Sequence, residues 1–470
     1  MIDLKHLRED PDRFREGAQL KGIAVDINRV LELDRERRDL QHEKDELRAD
    51  QNRLAKESGP KIGQLMGKLK KASDAERQAI ESEIETLKAK PAGLKSRIQA
   101  FDDRLAALSP ELDALLLTIP QPPDADVPVG QTADENVEIR RWAPDGFEPD
   151  VAFAEQRGFD PKSHIELMEN LSMVDFTRGV KIAGSRSYAL RGWGMRLHQA
   201  VLRMAFDMMV EENGFEGISV PVLVREDAMV GTGFFPAGRD QTYLVEETAR
   251  GGGEDMHLAG TGEVGLMGLY GDEILKEEEL PKKLVTVSTC FRREAGAAGR
   301  DTSGLYRVHQ FEKVEQVVLC RANETESRAW HQQMIGFVET FLQRLELPYR
   351  LLQCCTGDLG PKNADMIDLE CWMPSRGDLD QSGKPRGGYG ETHSASRLYD
   401  YQCRRLNLRY RPTQEGVDGT IFCHSLNNTV VASPRILIPL VEMHQQEDGS
   451  IVIPEALRKY TGNTELINAE

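Results

Sequence analysis

The stretch from Val285 to Gln316, VTVSTCFRREAGAAGRDTSGLYRVHQFEKVEQ, holds two apolar strand-like runs joined by a polar loop rich in glycine and arginine. Alternate residues of a strand point to opposite faces. The first run therefore aims Arg292 and Glu294 to one side, and the second aims Phe311, Lys313 and Glu315 to one side. This predicts a hairpin whose alternate side chains meet in a common pocket. An arginine can clamp a phosphate oxygen, an aromatic ring can stack on a base, and a carboxylate can accept from an amine or hydroxyl. Any one of these charges would also suit a solvated sheet face; gathered about one basic loop, they mark a site.

Two blocks flank this hairpin. Toward the N-terminus a helical stretch, RLHQAVLRMAFDMMVEE, ends in EENGFEGISVPVLV, where Pro221 interrupts an apolar strand. Proline inside a strand belongs at an edge, a start or a bulge, so this strand is expected where a ladder ends or meets another subunit. Toward the C-terminus lies HSLNNTVVASPRILIPLVEMHQQ, residues 424–446. A polar turn at Asn427, Asn428 and Thr429 is expected before a short strand, after which Pro434 and Arg435 open an apolar helix of about two turns or more. A helix N-terminus favours an anion, and Arg435 would reinforce it.

The N-terminal quarter follows a different period. Leu33, Leu40, Leu47 and Leu54 recur every seven residues, and Ile80, Ile84, Leu87, Leu94, Ile98, Phe101, Leu105 and Leu108 follow a 4-3 spacing with charges between. Two long helices with one apolar seam each are expected to close into an antiparallel hairpin, the break falling in SGPKIGQLMG, residues 58–67. Pro91, at a seam position, should kink or break the second helix. The pattern alone fits a spacer or dimerisation element as well as a binding arm. TIPQPPDADVPVG, with four prolines in 13 residues, reads as a linker. SRGDLDQSGKPRGGYG, residues 375–390, is a glycine-rich polar loop with no role assigned.

With 470 residues, 39% hydrophobic and 29% charged, the chain has the balance of a globular protein of two or three domains. No apolar run is long enough to span a membrane, and the start MIDLKHLREDPDRF is too charged for a signal peptide, so a cytoplasmic location is expected. Seven scattered cysteines without CxxC spacing suggest reduced thiols. The net charge of -18 opposes phosphate binding, but its distribution is uneven. Residues 29–110 hold 18 Lys and Arg against 16 Asp and Glu, a balance of +2, which leaves -20 for the remainder.

The three blocks in this order resemble motifs 1, 2 and 3 of class II aminoacyl-tRNA synthetases, at about 196–224, 284–316 and 424–446. The helical hairpin, DFTRGVKIAGSRSYALRG, VGTGFFPAGRDQTYLV, LAGTGEVGL, TGDLG and GETHSASRLYDYQCRRLNLRYR are similar to seryl-tRNA synthetases in particular, over essentially the whole chain. The resemblance implies an α+β fold: a long antiparallel helical hairpin in residues 1–115, a linker at 116–133, and a class II catalytic domain at 134–470 with a mainly antiparallel sheet flanked by helices. It implies a serine-tRNA ligase that forms seryl-adenylate from L-serine and ATP, then loads the 3′ end of serine tRNA. Arg292 would contact the α-phosphate, Glu294 the adenine amino group, Phe311 the adenine face and Arg435 the γ-phosphate. Glu391 and Ser394 would hold Mg²⁺, for which carboxylate and hydroxyl oxygens are suitable hard ligands. Thr261 and Glu263 would surround the serine amino group, and Glu315 would receive its hydroxyl, with Asn427 and Thr429 nearby. A homodimer joined through motif 1, tRNA held by the arm and no membrane partner complete the expectation. Two departures are a Thr-Gly-Glu amino-acid loop, where many relatives carry another small residue, and a motif 3 without a glycine-rich run.

Overall fold

A computed structural model describes residues 1–468, leaving aside 296–302, 380–382, 415, 417 and the side chains of 75, 90 and 91. The middle of the loop at 375–390 and the centre of the motif 2 loop therefore lie outside the described residues. The chain divides into two compact units, Ala24–Ile119 and Met1–Ile23 with Pro120–Glu470.

The smaller unit is a hairpin of two helices, α1 (Ile27–Leu69) and α2 (Asp74–Thr118). At 1.5 Å per residue each is about 65 Å long. Early residues of α1 meet late residues of α2: Arg29 bonds Glu111 at 2.8 Å, and Lys44 pairs with Asp102 at 2.9 Å. Val30, Leu33, Leu40, Leu108, Leu112 and Leu116 are buried along the seam, whereas Leu47 and Leu54 are half-buried. A two-helix seam has no third layer to cover it.

The break between the helices is not at SGPKIGQLMG. Helix α1 runs through Pro60 to Leu69, and the turn occupies residues 70–73. A proline in a helix interior removes one backbone hydrogen bond, a loss that the long seam of α1 absorbs. The restart is set by Ser73 and Glu76, whose side chains form a capping box; Ser73 Oγ donates to Glu76 Oε2 at 2.7 Å. Nor does α2 break at Pro91, since its helical span continues unbroken to Thr118, inside the stretch read as linker.

In the larger unit an eight-stranded sheet runs in the order β1 (Val137–Trp142), β5 (Tyr349–Gln353), β6 (Asp365–Met373), β7 (Gly388–Tyr399), β8 (His424–Ser433), β4 (Gln310–Cys320), β3 (Lys282–Phe291), β2 (Glu216–Gly217). All neighbours are antiparallel except β2 and β3. The two-residue β2 is the edge, and Pro221 follows it outside the ladder, as its sequence requires. Helices α3 (Gly192–Asp207) and α5 (Glu324–Arg344) contribute Leu197, Val201, Met334, Ile335, Val338 and Phe341 to the main core. Strand alternation decides what lies where: the amides of Gln316 and Asn428 both donate to Met334 O in α5, at 3.1 Å each. Their neighbours Glu315 and Asn427 point the other way.

Residues 1–23 pack with this larger unit and not with the helical hairpin. Leu7, Phe14 and Ala18 are buried. Asp3 pairs with Arg404 at 2.7 Å, and the Lys21 ammonium donates to Gly360 O at 2.9 Å and Asn363 O at 2.5 Å. All seven cysteines are buried free thiols. No helix among the described residues is long and apolar enough to cross a membrane.

Candidate functional site

One cleft opens on the sheet face opposite α5. Arg292, Glu294, Phe311, Lys313, Glu391, Ser394, Thr429 and Arg435, all singled out in the sequence, line it and so meet in one place.

They arrive there by less regular routes than strand alternation. Strand β3 ends at Phe291, so Arg292 and Glu294 lie beyond it. Glu294 has φ +49, a left-handed conformation uncommon for a non-glycine residue. Its carboxylate accepts from Arg307 Nη1 at 3.1 Å. The Arg292 guanidinium sits 5.3 Å from the Phe311 ring centre, and its Nε donates to Gly260 O at 3.4 Å.

Two β-bulges shape the opposite wall. Glu391 and Ser394 are three apart and would face opposite sides of a regular strand. In β7 the register shifts so that Leu369 pairs with His393 and Glu370 with Glu391, leaving Thr392 as the extra residue. A shift in β8 likewise leaves Val430 extra, and Thr429 and Ala432 both line the cleft. Asn427, Asn428 and Thr429 are thus mid-strand, not in a turn. Both neighbouring strands, β4 and β7, bond to this segment and hold it extended. Arg435 precedes helix α6 (Leu437–Met443) and does not open it. Its Nε donates to Tyr306 O and its Nη1 to Glu391 O, both at 3.1 Å. The His393 ring, which also lines the cleft, is pushed down to about 3, by burial first and then by Arg435, and is neutral.

Below this cleft the remaining candidates form a buried charge chain. Thr261 Oγ1 accepts from Lys313 Nζ at 2.8 Å, and Lys313 also pairs closely with Glu315. Glu263, at the start of the short helix α4 (Glu263–Gly268), accepts from Asn427 Nδ2 at 2.7 Å, from Gln402 Nε2 at 2.7 Å and from Lys362 Nζ at 2.7 and 2.8 Å. Burial raises the Glu315 carboxyl against the pull of Lys313, and lowers the Lys362 ammonium against the pull of Glu263. Between Thr261 and Glu263, a Cβ on Gly262 would meet Thr286 Cγ2 at 2.4 Å, so the Thr-Gly-Glu loop admits no side chain without a shift.

Lys362, Gln402, Tyr306 and Arg307 were not picked out from the sequence. Neither was Asp368, which stands opposite Ser394 in the β6–β7 ladder and is held well above the usual carboxylate range by burial and by Glu391. Strand register would have found Asp368; no local signal marks Lys362, whose partner is in a distant segment.

Residues 1–123 match the seryl-tRNA synthetase N-terminal domain, and residues 243–444 match the tRNA synthetase class II core domain (G, H, P, S and T). The serine–tRNA ligase of Deinococcus radiodurans is 39% identical over 99% of both chains, and that of Thermomicrobium roseum 41% identical over 100% of this chain and 95% of the relative. Among solved structures, the seryl-tRNA synthetase of Pyrococcus horikoshii complexed with ATP aligns at TM-score 0.81 and 34% identity over 100% of both chains.

Proposed function

The chain belongs to the seryl-tRNA synthetase family and joins serine to tRNA, using ATP to form seryl-adenylate, and from that premise we propose a division of labour among its residues. Phe311 and Glu294 take the adenine face and amino group. Arg292 neutralises the α-phosphate and Arg435 the γ-phosphate. Thr261 and Glu263 address the serine ammonium, and Glu315, with Asn427 and Thr429, its hydroxyl. The observation that carries this reading is the meeting of two arginines, an aromatic ring and a half-exposed carboxylate, Glu391, around one cleft above the Lys313–Glu315 pair.

Glu391 and Ser394 offer the hard oxygen donors that Mg²⁺ prefers. When bound, the ion supplies charge neutralisation on the phosphates. No protein nucleophile is needed. The serine carboxylate attacks the α-phosphorus, pyrophosphate leaves, and the chain's own residues orient the reactants and offset the developing charge. The 3′-terminal ribose hydroxyl of tRNA then attacks the adenylate carbonyl. The helical hairpin at 24–119 is the element proposed to hold tRNA. Pyrophosphate exchange dependent on each amino acid in turn, with and without Mg²⁺ and tRNA, tests the whole reading: serine alone should drive it, and only with Mg²⁺.

Specificity is expected to rest on Glu315. Glu315→Gln removes a charged acceptor from the serine hydroxyl, an interaction of about 1.5–3 kcal/mol, so the KM for serine should rise roughly ten- to a hundredfold. The KM for ATP should move far less. An unchanged serine KM in pyrophosphate exchange would place Glu315 outside the pocket.

The proposed assembly is a homodimer through the motif 1 region, closed twofold dimers being the commonest arrangement. Light scattering at micromolar concentration should give twice the 52.8 kDa of one chain; a mass of one chain refutes the dimer.

A further inference from the structure

The Glu263 carboxylate is already engaged. Lys362 donates to both of its oxygens, at 2.7 and 2.8 Å, and Gln402 and Asn427 each donate to Oε1 at 2.7 Å. Three of these bonds fall on Oε1, which is saturated, and the fourth, from Lys362, falls on Oε2, so Lys362 is the one donor that holds both oxygens. A substrate ammonium that pairs with Glu263 therefore meets the Lys362 ammonium at either oxygen.

The three donors differ in how firmly they are held. The Gln402 amide also donates to Thr232 O at 2.8 Å, and its carbonyl accepts from Ser425 Oγ at 2.9 Å. Asn427 is fixed in the middle of β8, paired with β4 on one side and β7 on the other. Lys362 lies in the loop between β5 and β6, on a flexible four-carbon stem. Beyond Glu263, its ammonium rests on the ring face of Phe234, 3.9 Å from the centre. Its side chain keeps 13% exposure against 4% for Glu263, so it has a way out toward solvent. Chemically it is the donor most like the group that must replace it, one primary ammonium for another.

We propose that Lys362 is a built-in ammonium that occupies Glu263 in the serine-free enzyme and is exchanged for the α-ammonium of serine on binding. The proposal rests on the reading of Glu263 as the acceptor of that ammonium. An exchange of like for like keeps the buried carboxylate paired throughout, which matters because a buried charge stripped of its partner is strongly destabilising. It also makes Lys362 a specificity-determining residue. A hydroxy acid of similar shape but without an ammonium has nothing to offer Glu263 in return, and leaves Lys362 in place.

Two substitutions test the exchange. Lys362→Met keeps an unbranched side chain but removes the competitor, so the serine KM in pyrophosphate exchange should fall about tenfold, with the change concentrated in KM and not in kcat. Serine should also raise the thermal midpoint of this variant more than that of the parent. Lys362→Arg holds the carboxylate with a two-pronged fork, so the serine KM should rise about tenfold. If Lys362→Met fails to fold, Lys362→Arg decides alone. A serine KM that rises in Lys362→Met, or that stays at the parent value in Lys362→Arg, overturns the exchange. Glu263→Gln separates this from the underlying reading: an unaltered serine KM in that variant means Glu263 does not receive the ammonium, whatever the Lys362 variants do.

Discussion

Arg292→Ala is expected to lower the turnover of serine-dependent pyrophosphate exchange about 10²–10³-fold, the usual effect of losing one preorganised donor aimed at developing charge, or roughly 2.7–4 kcal/mol. The reaction adds a carboxylate to an already charged phosphate, so catalysis depends on positive charge already in position. Arg292 is prepared for this: its Nε is held by Gly260 O, and its guanidinium plane is placed by the Phe311 ring 5.3 Å away. Arg292→Lys keeps the charge but loses the fork, and should recover only part of the loss. Because the effect belongs to the transition state, the serine KM should change little while kcat falls. A turnover within about threefold of the parent, measured at saturating ATP and serine, would remove Arg292 from the α-phosphate.

What the sequence made legible follows strand and helix periods, and what it concealed departs from them. Phe311, Lys313 and Glu315 were readable as one face because β4 alternates regularly through them. Glu391 and Ser394 were not, because a spacing of three in a strand implies opposite faces until a bulge at Thr392 intervenes. The resemblance to a family, not the pattern, brought that pair together. Thr429 reads as part of a turn for a related reason: a run of Asn-Asn-Thr has turn chemistry locally, and only pairing with β4 and β7 makes it strand. The heptads of the helical hairpin were plain. Its turn was misplaced because glycine and proline weigh heavily in local reading, while the deciding Ser73–Glu76 box is two residues in an otherwise polar stretch. Lys362 had no signature at all. A lysine in a loop reads as solvated, and its partner, Glu263, lies 99 residues earlier in the chain.

Removal of residues 24–119 should separate the two halves of the reaction. This segment is one compact unit that closes its own apolar seam, from Val30 and Leu33 to Leu112 and Leu116. The chain leaves and re-enters the larger unit at a single place. Lys21 donates to Gly360 O and Gln121 N to Pro361 O, and Gly17 approaches Pro122 so closely that a Cβ there would lie 3.0 Å from its Cα. A short flexible linker from Ile23 to Pro120 should therefore leave the sheet and the cleft intact. Serine-dependent pyrophosphate exchange in this variant should stay within about threefold of the parent. Charging of tRNA should behave differently. Residues 29–110 carry a balance of +2, whereas the rest of the chain carries -20 and repels phosphate. Paired RNA hides its base edges in a deep, narrow groove, so a long helical hairpin reads backbone and shape more readily than sequence. Without it, kcat/KM for tRNA should fall about 10²-fold or more, as expected when several phosphate contacts are lost together. Charging that survives with an unchanged KM for tRNA would show that the two heptad helices are a spacer and that tRNA is held elsewhere on the chain.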